Sequence, residues 1–299
     1  MTLAELTLLA VKTSIVLIVV SLGLRARLED IAYLFRRPGL LLRSLLAMNV
    51  IMPLFAVLLV TSFAFHRAVE IALVCLAVSP VPPILPKKEL KAGGSASYAI
   101  GLLIAAALLA ILFVPATVEI HGLIVGADEH ISVVAIGTVV LTTVLAPLSA
   151  GAVVRYVVPT FAGRAAAPLS LLANLLLGLS ALTILIGAWP AIVTLVGNGT
   201  LAVIAIFVLA GLAIGHLLGG PDPDHRTVLA LSTATRHPGV ALTIVGVNFP
   251  EEKAALAAIL LCLIWGTILS IPYVRWRRRI HPARPMPERD GGRLAGVRD

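Results

Sequence analysis

Charged side chains are scarce in this chain. Asp, Glu, Lys and Arg make up 13% of its 299 residues, about half the share of an ordinary water-soluble domain. Aromatics supply 5%, and there are two cysteines. So few polar side chains cannot cover a globule in water, which excludes a soluble fold. Cys75 and Cys262 fall inside apolar runs, where they read as small hydrophobes and imply no disulfide or metal framework. Carboxylates are expected only at the ends of runs, in connections or in the C-terminal tail, none in the middle of a run. No phosphate-binding loop, metal-binding helix motif or nucleophile elbow occurs, so nothing in the residues supports an enzyme. The first apolar run also lacks the basic start and small-residue cleavage site of a signal peptide.

What is present is apolar: 59% of residues are hydrophobic and the mean hydropathy is +1.04. A helix needs about 20 apolar residues to cross a hydrocarbon core. Nine runs meet that length, near 5–24, 40–63, 69–92, 96–120, 132–156, 167–189, 197–219, 226–249 and 252–276. The expectation is an all-α polytopic membrane protein with one transmembrane domain over 1–280. Residues 281–299 are rich in Pro, Arg, Gly and Asp and read as a disordered cytoplasmic tail. Turn-like connections are expected at Arg36 to Gly39, Gly163 to Pro168, Asn198-Gly199 and Gly219 to Asp224.

The net charge of +8 is distributed unevenly. Taking the connections alternately, one set holds Arg25, Arg27, Arg36, Arg37, Arg43, Lys87, Lys88, Lys91, Arg155, Arg164, Arg226, Arg275 and Arg277 to Arg279, and the other only Arg67 and Lys253. Basic residues accumulate on the cytoplasmic side. The N-terminus is therefore expected outside and the C-terminus inside, most simply in a plasma (inner) membrane. Basic excess is thus a topology signal and not a nucleic-acid surface, with the Arg275–Arg279 cluster a secondary candidate for anionic lipid.

Two runs are broken. The first break reads Ser79-Pro80-Val81-Pro82-Pro83-Ile84-Leu85-Pro86-Lys87-Lys88, the second Thr235-Arg236-His237-Pro238-Gly239. They sit at corresponding places. Leu40 to Pro80 is 40 residues and Gly199 to His237 is 38; Pro80 to Ile120 is 40 and His237 to Trp276 is 39. Paired interruptions of this kind point to the midplane site of a secondary transporter built from inverted repeats, here about 5–120 and 132–276. Non-helical backbone cannot face lipid and must be buried or line a wet cavity.

These residues resemble the bile acid:sodium symporter family. Ser21 to Leu24, Arg36-Arg37-Pro38 and Asn49 to Leu54 look like its opening helices; Cys75 to Pro80 looks like the approach to its first crossing, and Ser232 to Leu242 like its second. The resemblance runs from about Leu6 to Trp276. It implies two inverted five-helix repeats, here without the first helix, and a core group of helices rocking against a panel group. It also implies sodium ligands, and here the chain departs. The family carries Gly-Gly-Thr-Ala-Ser-Asn after the first-crossing proline, where this chain reads Val81 to Pro86 without one side-chain oxygen. The glutamate and glutamine of the family's second crossing correspond to Ser232 and Arg236. Sodium coupling of the family type is thus not what these residues support.

The sharpest candidates are Arg236 and His237. A guanidinium in a span is costly and normally faces a cavity or a partner; it can bind a carboxylate or sulfonate bidentately. Alternatively, Arg236 caps local carbonyls and holds the broken helix together. His237 is a candidate for proton coupling. Pro82, Pro83, Pro86, Lys87, Thr235 and Asn49 are expected around the same substrate site, although Lys87 and Lys88 also read as interface charge. Lys12 reads as a snorkelling lysine, and Asn174, Ser180 and Thr183 as cavity groups or interhelical bonds. The reading is a secondary transporter of a small organic anion, proton-coupled or uncoupled, with the anion and the bilayer as partners and no cofactor. Two alternatives stay open: a sodium symporter using Ser232 and Thr233, and a non-transporting sensor or scaffold.

Overall fold

The computed structural model describes residues 2–26, 28–125 and 131–280. The tail at 281–299 and Arg27 lie outside the described residues. Everything regular among them is helical. Chain order gives α1 (Leu3–Gly23), α2 (Leu28–Ala32), α3 (Pro38–Ser62), α4 (Arg67–Val78), α5 (Leu85–Lys91) and α6 (Ala96–Val125). Then follow α7 (Val133–Val157), α8 (Pro159–Leu195), α9 (Thr200–Leu218), α10 (Pro223–Ala234), α11 (Pro238–Asn248) and α12 (Ala254–Ile280).

Seven of these, α1, α3, α6, α7, α8, α9 and α12, are long and apolar enough to cross a membrane. The remaining apolar content sits in two pairs of shorter helices, α4 with α5 and α10 with α11, each pair meeting at one of the proline breaks. Many large apolar side chains face outward, among them Leu171, Leu175, Leu179, Leu182 and Ile186 on α8, as a lipid solvent allows. One expected turn is absent: Gly163 to Pro168 lies within α8, which begins at Pro159. Pro159 starts that helix at the position where a missing N–H is harmless, and Pro168 and Pro190 are carried inside it.

Proline chemistry also shapes α3 and α7. Each contains a π turn, Leu46–Ile51 and Leu141–Leu145, directly before Met52-Pro53 and Ala146-Pro147. In α3 the Met52 N–H reaches back five residues to the Ala47 carbonyl. Pro53 has no N–H to offer, so the Met48 carbonyl is left without a main-chain donor.

The helices pack in two groups. Helices α1, α7 and α8 pack chiefly on one another, and the two broken pairs pack with α3, α6, α9 and α12. At the α1–α7 crossing Gly23 faces Gly151; a methyl on either would run into the backbone of the other helix. In the second group Gly211 of α9 lets Ala234, the last residue of α10, come against its backbone.

Candidate functional site

The first break follows from its residues. Helix α4 ends at Val78, Ser79 is extended, and Pro80, Pro82 and Pro83 cannot continue a ladder that needs their N–H groups. Helix α5 restarts at Leu85, with Pro86 in its first turn. The second break is shorter. Thr235 is extended, and Pro238 opens α11. His237 caps α11: its Nδ1 accepts from the Gly239 N–H at 3.1 Å and the Val240 N–H at 3.4 Å.

The two breaks touch. The His237 N–H donates to the Pro80 carbonyl at 2.9 Å. Beside it the Arg236 guanidinium, 2% exposed, donates from Nη1 to the Ser79 carbonyl at 3.2 Å and from Nη2 to the Met48 carbonyl at 2.6 Å. One acceptor is the carbonyl of Ser79, the C-cap of α4, and the other is the carbonyl orphaned by the π turn. The partial negative charge at a helix C-terminus suits a cation there. Arg236 has no carboxylate partner among the described residues, and its Nε–H is buried without an acceptor. A cavity of ≈ 30 Å³ borders it, lined by Thr235, Cys262, Thr267 and apolar side chains, with room for about two waters at 10–15 Å³ each.

The other expected residues lie around this junction or away from it. Pro82, Pro83 and Pro86 are buried, and Thr235 is half-buried on the cavity wall. Asn49 is half-buried in the π turn, next to Met48. Lys87 turns toward the other helix group, its Nζ donating to Ser170 Oγ of α8 at 3.1 Å. Asn174 donates to the Ser170 carbonyl, and Ser180 and Thr183 bond back to Leu176 and Leu179 of the same helix. These three therefore make bonds within their own helix. Lys12 is exposed on α1. The basic cluster is partly internal: Arg277 is buried, donating to Thr227 Oγ1 and the Pro223 carbonyl, while Arg278 donates to the Lys91 carbonyl. Two of the arginines assigned to lipid thus tie α12 to α10 and α5.

A carboxylate at the end of a run is nonetheless enclosed: Glu89 of α5, three residues from the end of the run at 69–92, is fully buried, and its Oε1 accepts from the Ser232 hydroxyl of α10 at 2.6 Å. Its Oε2 has no partner, and neither does the buried Thr233 hydroxyl nearby in sequence. Position in the run says nothing of this burial, but spacing carries a signal. Leu85, Glu89 and Ala92 fall on one helix face at i, i+4 and i+7, and all three are buried, while Lys87, Lys88 and Lys91 point elsewhere. A second cavity of ≈ 180 Å³ runs along α4 from Arg67 and Glu70 to Val78 and is also lined by Thr61, Ile244 and Phe249.

Residues 13–195 match the sodium bile acid symporter family. That stretch covers more than half of the chain, so the chain belongs to this family of membrane transporters; the second crossing lies beyond the matched residues. No curated protein matches the chain.

Proposed function

We propose that this member of the sodium bile acid symporter family is a secondary transporter that carries a small organic anion by alternating access, without the family's sodium site. The observation that carries the reading is Arg236. A guanidinium buried where two broken helices meet, bonded to two carbonyls and bordered by a cavity with two threonines, is a fixed positive charge without a counter-ion among the described residues. Burying such a charge unpaired is costly, and an anionic substrate would relieve that cost. Counting each broken pair as one crossing, the chain would span the membrane nine times as two inverted repeats, N-terminus outside and C-terminus in the cytoplasm of a plasma membrane. The group formed by α1, α7 and α8 would rock against the rest. The sodium alternative draws on the unpartnered Thr233 hydroxyl and on Ser232; Ser232, however, is already bonded to Glu89.

The test is uptake by purified protein in liposomes, with taurocholate and succinate as sulfonate and carboxylate probes and with sodium present or replaced. Uptake without sodium that falls at least tenfold in Arg236→Ala supports the reading. Uptake strictly dependent on sodium, or unchanged by the substitution, would sink it.

A further inference from the structure

We propose that Glu89 binds and releases a proton in each transport cycle, so that the anion travels together with a proton. This rests on the transporter reading above. The carboxyl is fully buried, it has one hydrogen-bond partner in Ser232, and Oε2 meets no donor. Among the described residues no cation is hydrogen-bonded to it. Lys88, its sequence neighbour, acts on it by charge but makes no hydrogen bond to it, Lys87 is bonded to Ser170, and Arg236 is bonded to its two carbonyls. From α6 the facing titratable group is Tyr98, whose hydroxyl pairs with Ser44; from α10 it is His225, edge-on against Tyr98; from α12 it is Arg278, held on the Lys91 carbonyl. A fully buried carboxylate with one hydroxyl partner and no described ion pair is so costly that the group keeps its proton instead.

Position converts that proton into a coupling device. The Glu89–Ser232 bond joins α5 of the first broken pair to α10 of the second. When α8 swings away from α5 and the Lys87–Ser170 bond opens, water reaches the carboxyl. Its O–H bond breaks, the proton passes to water, and the electron pair stays on the carboxylate. Closing again requires a proton to return. His237 does not serve this role: taking a proton on Nδ1 would remove the acceptor that caps α11. Sodium fits poorly, because the carboxyl meets one hydroxyl and residues 81–86 bring no side-chain oxygen, whereas hard cations need a shell of oxygen ligands.

Two measurements on the full-length protein test this, with Glu89→Gln as the chain that cannot ionise there. The first is the infrared spectrum. At neutral pH the wild type should show the carbonyl stretch of an un-ionised carboxyl that Glu89→Gln lacks, and alkaline buffer should abolish it. This reading needs no substrate, so it stands even if taurocholate is not carried. The second compares taurocholate exchange at equal pH with its accumulation under an inward proton gradient; the sulfonate stays ionised, so the gradient cannot drag it through lipid. One proton per anion sets about tenfold accumulation per pH unit. Glu89→Gln should lose that accumulation while exchange at equal pH persists. A wild type without the infrared band at neutral pH overturns the proposal. So does a Glu89→Gln chain that accumulates taurocholate as the wild type does, or accumulation that follows sodium and ignores pH.

Discussion

The two breaks are built from opposite chemistry. Residues 79–86 contain four prolines and, apart from Ser79, no side chain that can hydrogen-bond. The Ser79 hydroxyl is spent on the Cys75 carbonyl of its own helix. What that break can offer is carbonyl oxygen, because proline keeps its C=O and loses its N–H. Residues 235–237 bring the reverse: a guanidinium and a free main-chain N–H, which donate to Ser79, Pro80 and, through α3, Met48. Neither break is satisfied alone. A break made of prolines creates acceptors that only a donor-rich partner can fill, so the two interruptions work as halves of one junction.

The largest test of that pairing removes the donor. Arg236→Ala leaves the Ser79 and Met48 carbonyls buried without a partner, at about 1–3 kcal/mol per unsatisfied group. Thermal unfolding of the purified protein should drop by several degrees. Arg236→Lys keeps the charge but cannot fork to two carbonyls, and should fall between Ala and wild type in both stability and uptake. If Lys and Ala behave alike in uptake while Lys restores stability, the guanidinium serves the fold and the substrate sits elsewhere.

A smaller effect belongs to the cap. His237→Ala takes away the acceptor for the first N–H groups of α11, and losing such a cap costs about 0.5–2 kcal/mol. His237→Asn supplies a comparable side-chain acceptor and should recover most of that loss. A chain in which Ala is as stable as the wild type would show that the main-chain bond to Pro80 alone holds the second break in place.

How much of this was legible follows from the same chemistry. Proline leaves no choice to the backbone, so both breaks could be located from residues alone, to within a residue or two. The apolar lengths gave the long helices for the same kind of reason, since the hydrocarbon thickness is fixed. The turn expected at Gly163 to Pro168 failed because a single proline removes one ladder bond and can be carried as a kink, as Pro168 is inside α8, while lipid penalises any open backbone. Arg236 was visible as a charge out of place, but its acceptors were not. The Met48 carbonyl becomes available only through a π turn that an apolar run does not announce. Glu89 was hidden by its company. Three lysines in the same short segment made it look like interface charge, and only the facing side of α10 turns that side of α5 inward.

The smallest expected effect separates the two breaks most finely. Among the described hydrogen bonds, Lys87 carries one from the first broken pair to the other helix group, through Ser170 of α8. At the second break the described bonds of Arg236 and His237 stay within their own group. If α1, α7 and α8 move as a unit, the Lys87–Ser170 bond must break in each cycle, whereas the Arg236 bonds need not. Lys87 is half-buried, so the bond is worth about 0.5–1 kcal/mol, too little to change the fold and enough to shift a conformational balance a few-fold. Lys87→Ala and Ser170→Ala should each leave thermal unfolding within about a degree or two of the wild type and change taurocholate uptake about two- to fivefold. The double substitution should do no more than either single one, because both remove the same bond. Additive effects would mean that Lys87 acts on the substrate directly and that the first break reaches the anion as well as the second.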